Sequence, residues 1–411
     1  MTVGSGGVRR AERTREPAAP RRNGAAALAS TLAVLLPTPD ETALLEACLH
    51  RGERAREAWA RWRVERERAV RPLCDELAAT RTLLPLLARS AVHNGLDPGP
   101  GVLPYLHAAT VREELRSNRF RRIAAGALTT LGDAGVSAFV LRGAALAATV
   151  YESWALRHCH DLDLLVERRE LRAGVRALAG AGFTAVRERP RSRGSRVLEH
   201  SSGFRLALHT RPFAVPYYDA PFEAFTAGAE LITIDGVPAP APARETTLVH
   251  VLGHASCCAS RRNLRWVADA WHLLEGPDRL GWTQIIDRVE AHRLALPTAV
   301  LLRYLDRLGA GVPPEALMRI ETLAAAADAA AVDAALDGAH AGPGGDLHSL
   351  WRATASRDGR LHLVRWAAAH APAFMRSTHA LPSDWLLPLC YIYRPARAVV
   401  RSLARRRSRA P

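Results

Sequence analysis

Two aspartates, Asp161 and Asp163, stand two residues apart in the apolar stretch RHCHDLDLLV that runs from Arg157 to Val166. Side chains at i and i+2 of a strand point the same way, about 6.5 to 7 Å apart along the backbone. Two carboxylates at that distance can lean together onto one or two divalent ions. Left bare in apolar surroundings they would repel, and one of them would hold a proton. A Mg²⁺ ion removes both problems, because it takes oxygen ligands, commonly one or two carboxylates together with substrate phosphates. Leu162 then points to the opposite, core-facing side, and the Asp-x-Asp becomes a metal platform at the edge of a sheet. The residues alone fit a second reading equally well: a solvated face near a strand start, with its charge met by an arginine such as Arg157.

The elements that must position the pair are readable around it. VSAFVLRG is a short β-branched and aromatic run closed by Gly143, followed by a helix over 144–151 and then by the acidic strand. A further helix over 168–180 ends at Gly180 and Gly182, which suit a left-handed C-cap. Extended runs then recur as FTAVRER, SRVLEHS, FRLALHTRPF and ELITIDGVPAPAP, so residues from Val136 to about Pro242 read as a mixed sheet with few helices. Ahead of it, PDETALLEACLHRG has Thr38 or Asp40 as an N-cap and a stripe of Leu44, Leu45, Cys48 and Leu49, with further helices expected over 51–69, 75–94 and 102–132. Behind it, helical periodicity resumes at Arg244 and continues to the flexible break AGPGGD.

This order, a strand ending in Gly, a helix, then a strand with Asp-x-Asp, resembles the polymerase-β-like nucleotidyltransferase fold. It is similar in particular to the bacterial nucleotidyltransferase-family proteins whose core reads roughly LKGAAL, LRPMSDIDLLV, DLHW and LRWLxDL. Here those elements stand as LRGAAL (Leu141 to Leu146), LRHCHDLDLLV (Leu156 to Val166), ALH (Ala207 to His209) and LRWVADA (Leu264 to Ala270). The resemblance implies an α+β architecture: a nucleotidyltransferase core over 118–242 between an N-terminal helical region over 38–117 and a C-terminal one over 243–340. Residues 1–37 read as a disordered Arg/Ala-rich tail, and 341–411 as a helical or irregular extension with a basic tail. The resemblance also implies an activity: transfer of a nucleoside monophosphate from an NTP to an acceptor, with Mg²⁺ or Mn²⁺ held by Asp161 and Asp163. Arg142, Gly143, Arg157 and His209 are then the residues expected at the nucleotide. Gly143 would let the backbone approach the phosphates, Arg142 replaces the usual Lys, and Arg157 either binds phosphate or braces Asp161. The acceptor, a small molecule, a peptide or an RNA, has no readable code.

One position departs from the pattern. The third acid of the family, which completes the metal site and serves as general base, is Ala207 here. Glu199, Asp219 and Glu223 are the candidates to replace it. A catalytically impaired protein that binds nucleotide or a protein partner is the alternative that Ala207 keeps open. Cys159, His158 and His160, just before the pair, are also atypical.

Composition narrows the remaining classes. The 411 residues are 48% hydrophobic, with a formal net charge of +15 from 56 basic and 41 acidic residues and no lysine at all. That content supports buried cores and excludes a disordered or fibrous chain. The all-arginine bias reflects base composition as readily as a polyanion partner, which weakens a nucleic-acid-binding reading. The run AAALASTLAVLLP could pass for the core of an export signal, but no small-residue cleavage site precedes Pro37. No uninterrupted apolar run reaches roughly 18 residues, so no membrane span is expected. Six scattered cysteines suit a reducing cytoplasm. His250, His254, Cys257 and Cys258 share a helix face where zinc is imaginable and core packing is the simpler expectation. Trp266 and Asp269 suggest a brace at a domain junction or a contact to the base. Residues 394–409 are read as a solvated tail, with a membrane- or RNA-binding amphipathic helix as the other option.

Overall fold

The computed structural model describes residues 28–391 except 29, 65–77, 100–101, 187–193, 220, 258–263, 341–350, 352–353, 355–356, 369, 371, 380 and 382. The main helices ahead of the sheet are α1 (Pro39–Leu49), α2 (Gly52–Val64), α3 (Leu84–Asn94) and α4 (Leu103–Asp133). Thr38 caps α1 with the expected reciprocal capping box to Glu41. One helix was expected over 75–94, but Pro85 stands in the first turn of α3, where its missing N–H costs nothing, and so marks a new start.

The sheet follows. Strands β1 (Phe139–Val140), β2 (Asp161–Leu165), β3 (Phe183–Ala185), β4 (Ser195–His200) and β5 (Arg205–His209) lie in the order β1-β2-β5-β4-β3. β2 and β5 run parallel and the other pairs antiparallel, so the sheet is mixed. Helix α5 (Arg142–Thr149) joins β1 to β2, and α6 (Leu171–Gly180) begins the crossover. After the one-turn α7 (Phe222–Thr226), a separate ribbon pairs β6 (Glu230–Ile234) with β7 (Val237–Ala241). The rear helices are α8 (Arg244–Cys257), α9 (Arg265–Leu274), α10 (Trp282–Ala291), α11 (Ala295–Leu308), α12 (Pro314–Ala325) and α13 (Ala329–His340), and α14 (Arg357–Ala368) and α15 (Pro372–His379) lie in the extension. The fold is α+β, a mixed sheet flanked by helices. Among the described residues no helix is long and apolar enough to cross a membrane.

Two cores hold it together. One lies under the sheet, where Leu162, Leu164, Leu206 and Leu208 meet Phe120, Ala124 and Leu131 of α4 and Ile232 and Ile234 of the ribbon. The larger core joins the front and rear helices: Leu44, Leu45 and Trp59 share it with Leu248, Trp271 and Leu305. His50 Nε2 bonds the Leu308 carbonyl at 2.8 Å, which pins α1 to α11. The regions 38–117 and 243–340, separate in sequence, therefore form one helical body. Helical periodicity shows which face is buried, not which partner covers it. The boundary drawn between 117 and 118 also falls inside α4, whose 31 residues serve both cores.

The tail assigned to 1–37 needs correction at its end. Leu28, Leu32 and Leu35 are buried in the larger core, and Thr31 bonds Thr354 at 2.9 Å. The described part of that apolar run, from Leu28 to Leu35, thus supplies packing. The arginine-rich stretches before Leu28 and after Tyr391, with the amphipathic reading of 394–409, lie outside the described residues.

Candidate functional site

Antiparallel pairing of β1 with β2 lets the Leu141 N–H donate to the Asp163 carbonyl at 2.9 Å, so the chain enters α5 directly beside the acids. Arg142 opens that helix with φ 41°, in the left-handed region that side chains other than Gly rarely adopt. Its guanidinium Nη2 donates to Asp163 Oδ2 in a short ion pair. Along β2, Leu162 and Leu164 are fully buried while Asp161 and Asp163 take the opposite face, as the two-residue period requires. On the neighbouring β5, His209 reaches back, and its Nε2–H donates to Asp163 Oδ1 at 2.8 Å. Both carboxylate oxygens of Asp163 are therefore engaged. Burial works against its charge, but Arg142 and His209 outweigh burial and hold this carboxyl well below the usual range.

Asp161 sits differently. Its side chain is 35% exposed, against 12% for Asp163. Burial first, and the charge of Asp163 second, push its pKa up to about 6. The folded protein thus holds a proton between about pH 4 and 6 that the unfolded chain has released, and this carboxyl lowers stability as pH rises through that window. Asp161→Asn is expected to melt like wild type below about pH 4 and at a higher temperature above about pH 6. Melting curves across that range test this, and a difference independent of pH would refute it.

Arg157 pairs with Asp269 and not with Asp161. It forms a buried bidentate pair with Asp269 of α9, Nε to Oδ1 at 2.7 Å and Nη2 to Oδ2 at 2.8 Å, and Tyr151 donates to the same Oδ1 at 2.8 Å. Asp269 is thus the brace at the junction of sheet and rear helices, and Trp266 packs on Tyr304. Gly143 lies over this pair. A Cβ there would meet Arg157 Nη1 at 3.5 Å and Cys159 Sγ at 3.6 Å, an ordinary contact, so the demanding backbone position is Arg142, one residue earlier. Burial pushes the Cys159 thiol up to about 12, which leaves it inert as a nucleophile.

The register makes the missing acid concrete. Ala207 pairs with Asp163 across the parallel ladder, on the same face, so a methyl group stands abreast of the carboxylate. None of the candidate replacements is drawn to the pair. Glu199 is bound to Arg205 at 3.0 Å, Asp219 to Arg211 at 3.2 Å, and Glu223 is exposed on α7. Among the described residues no three His, Cys, Asp or Glu side chains are grouped to hold a metal ion. On α8, His250 bonds the Pro212 carbonyl at 3.0 Å and packs edge-on against Phe213 and Phe225, while Cys257 is buried in the larger core. Cys258 lies outside the described residues.

Two participants escaped sequence reasoning. Glu113, in the middle of α4, is buried and bonds His158 Nδ1 at 2.9 Å. Its only signal was its place on the buried stripe of a long helix. Arg265 donates from α9 to the His158 carbonyl at 2.9 Å and to His160 Nδ1 at 3.3 Å. It stood inside the LRWVADA segment, but in a chain whose every Lys-or-Arg position is Arg, one more carries no distinction.

A mixed sheet that presents paired acids beside a strand-to-helix turn defines the nucleotidyltransferase class of fold. The chain belongs to the family described as uncharacterised nucleotidyltransferase, which matches residues 72–309 and so takes in the whole sheet and the helices from α3 to α11. No curated protein matches the sequence.

Proposed function

We propose that this protein transfers a nucleoside monophosphate from an NTP to an acceptor nucleophile, with Mg²⁺ or Mn²⁺ held by Asp161 and Asp163. The observation that carries this reading is the pair itself: two carboxylates on one face of β2, one of them driven toward protonation by burial and then by the charge of the other. That is the donor set of a hard cation that takes its remaining ligands from phosphate and water, so the residues present fit the ion. Bound there, the ion would supply charge neutralisation and polarisation at the phosphate under attack. The chain's own residues do the rest. Asp161, the more open acid, meets the incoming ligand; His209 orients Asp163; and Arg142 supplies a planar cation for phosphate once Asp163 has another partner. The acceptor hydroxyl, amine or phosphate belongs to a small molecule, a peptide or an RNA. The reduced thiols Cys48, Cys159, Cys257 and Cys390 suit a cytoplasmic setting.

A second reading is favoured by a specific observation. Ala207 stands where a carboxylate would complete the site, and both oxygens of Asp163 are already bound. On that reading the protein binds nucleotide, or a protein partner, without transfer. The test incubates purified protein with each α-labelled NTP, Mg²⁺ or Mn²⁺ and a cell extract. Label appearing on an acceptor supports the enzyme, whereas nucleotide-dependent thermal stabilisation with no label supports the binding protein. Ala207→Asp sharpens the test. A second carboxylate beside Asp163 at this buried position is expected to lower the melting temperature without metal and to recover it with Mg²⁺. On the enzyme reading it also raises transfer at least about tenfold; a variant whose melting ignores Mg²⁺ would count against a metal site at this face.

A further inference from the structure

The acid pair has a closed end and an open end. Asp163 and Arg142 are 12% and 14% exposed, whereas Asp161 is 35% and His160 50% exposed. A ligand therefore arrives over Asp161 and His160. At that end stands Arg265, the first residue of α9, which belongs to the rear helical body and not to the sheet. Its Nη1 donates to the His158 carbonyl at 2.9 Å and, at the longer distance of 3.3 Å, to His160 Nδ1. An imidazole that accepts at Nδ1 carries its proton on Nε2, and here Nε2 lies 3.4 Å from Asp161 Oδ2. His160 is thus a neutral bridge between the Arg265 guanidinium and the Asp161 carboxylate.

Two guanidiniums from two layers of the fold therefore bracket the acids. Arg142 comes from α5 at the closed end, Arg265 from α9 at the open end, and both favour the charge of Asp161. The third nearby, Arg157, is committed to Asp269 in the buried pair. A ligand that fits between two such cations and over two carboxylates is a metal-bound polyanion long enough to span them. We infer that Arg265 is a phosphate-binding residue, which takes the polyphosphate chain of the incoming NTP by exchanging its His160 contact for phosphate oxygens. The assignment rests on the nucleotidyl-transfer reading and adds a residue that ties the rear helices to the substrate. A guanidinium suits the task, because its planar fork offers several N–H donors to phosphate at once.

The probe is inorganic tripolyphosphate with Mg²⁺, the part common to every NTP, titrated calorimetrically into the full-length protein. Arg265→Gln is expected to weaken its binding at least about tenfold, as for a lost charge-assisted contact. Arg265→Lys, which keeps the charge without the fork, should fall between. In wild type, Mg²⁺-tripolyphosphate should protect Arg265 from phenylglyoxal, read by mass spectrometry. A folded Arg265→Gln protein that binds as tightly as wild type would overturn the inference and leave the nucleotidyl-transfer reading intact. Should that variant not fold, unchanged phenylglyoxal labelling of wild-type Arg265 overturns it equally. Wild-type protein that binds neither tripolyphosphate nor any NTP would overturn both.

Discussion

Replacing both acids, Asp161→Asn with Asp163→Asn, is expected to lower nucleotidyl transfer by at least about 10³-fold, roughly 4 kcal/mol of barrier. The substitution keeps the volume of each side chain and removes the negative charge that meets the cation. Its effect on stability is split between the two acids. Asp161 is held charged against burial and against its neighbour, so its loss relieves strain; Asp163 is the anchor of Arg142 and His209, so its loss leaves a guanidinium on the sheet without its carboxylate. The two single variants therefore separate the roles. Asp161→Asn should lose transfer while melting at or above wild type at neutral pH. Asp163→Asn should lose both transfer and stability. Transfer measured with α-labelled NTP, beside melting curves of all three variants, checks this, and label transfer that survives the double substitution would place the chemistry elsewhere.

Asp269→Ala is expected to cost about 3–5 kcal/mol of stability, the penalty for a buried ion pair that loses one partner. The Arg157 and Asp269 side chains are only 9% and 5% exposed, and Asp269 accepts three hydrogen bonds at 2.7 to 2.8 Å. Its removal leaves the Arg157 guanidinium and the Tyr151 hydroxyl buried without their acceptor. The pair is expensive to break but need not be stabilising as a whole. Arg157→Met combined with Asp269→Leu should therefore recover much of the loss seen in Asp269→Ala. Urea unfolding of the two variants measures both numbers, and a cost below about 1 kcal/mol for Asp269→Ala would mean that water reaches the pair. The consequence extends to the site. Arg157 precedes His158, whose carbonyl receives both Arg157 and Arg265, and Asp269 is one turn beyond Arg265 on α9. Loss of the brace should thus weaken the hold of α9 on the loop before β2, and nucleotide binding should fall with stability.

Residue periodicity made the local geometry of the acids legible. Two Asp with a Leu between them on a strand must share a face, and Leu162 and Leu164 do turn inward. The strand, helix and strand around them were readable because Gly143 and the change from helical to extended period punctuate them. The partner of Arg157 is not legible, because its sequence neighbours are the acids whereas Asp269 lies 112 residues away on α9. Ion-pair choice depends on which charges are buried together, and a linear spacing carries no information about that. The helical regions were divided for a related reason: α1 and α11 contact each other across the whole sheet segment of the chain, so no window of sequence contains both halves of their core. Arg265 was hidden by composition.

The strand with its paired acids, the helix that feeds it and the absence of a carboxylate at 207 follow from residue type and local period. Tertiary structure alone decided that Ala207 stands abreast of Asp163, that Arg142 and His209 occupy that acid, and that Arg265 arrives from a distant helix beside Asp161. The physical reason is that strand register and helix docking are set by the burial of whole faces. They bring charges together that the chain keeps far apart, and only then does burial decide which of those charges must pair.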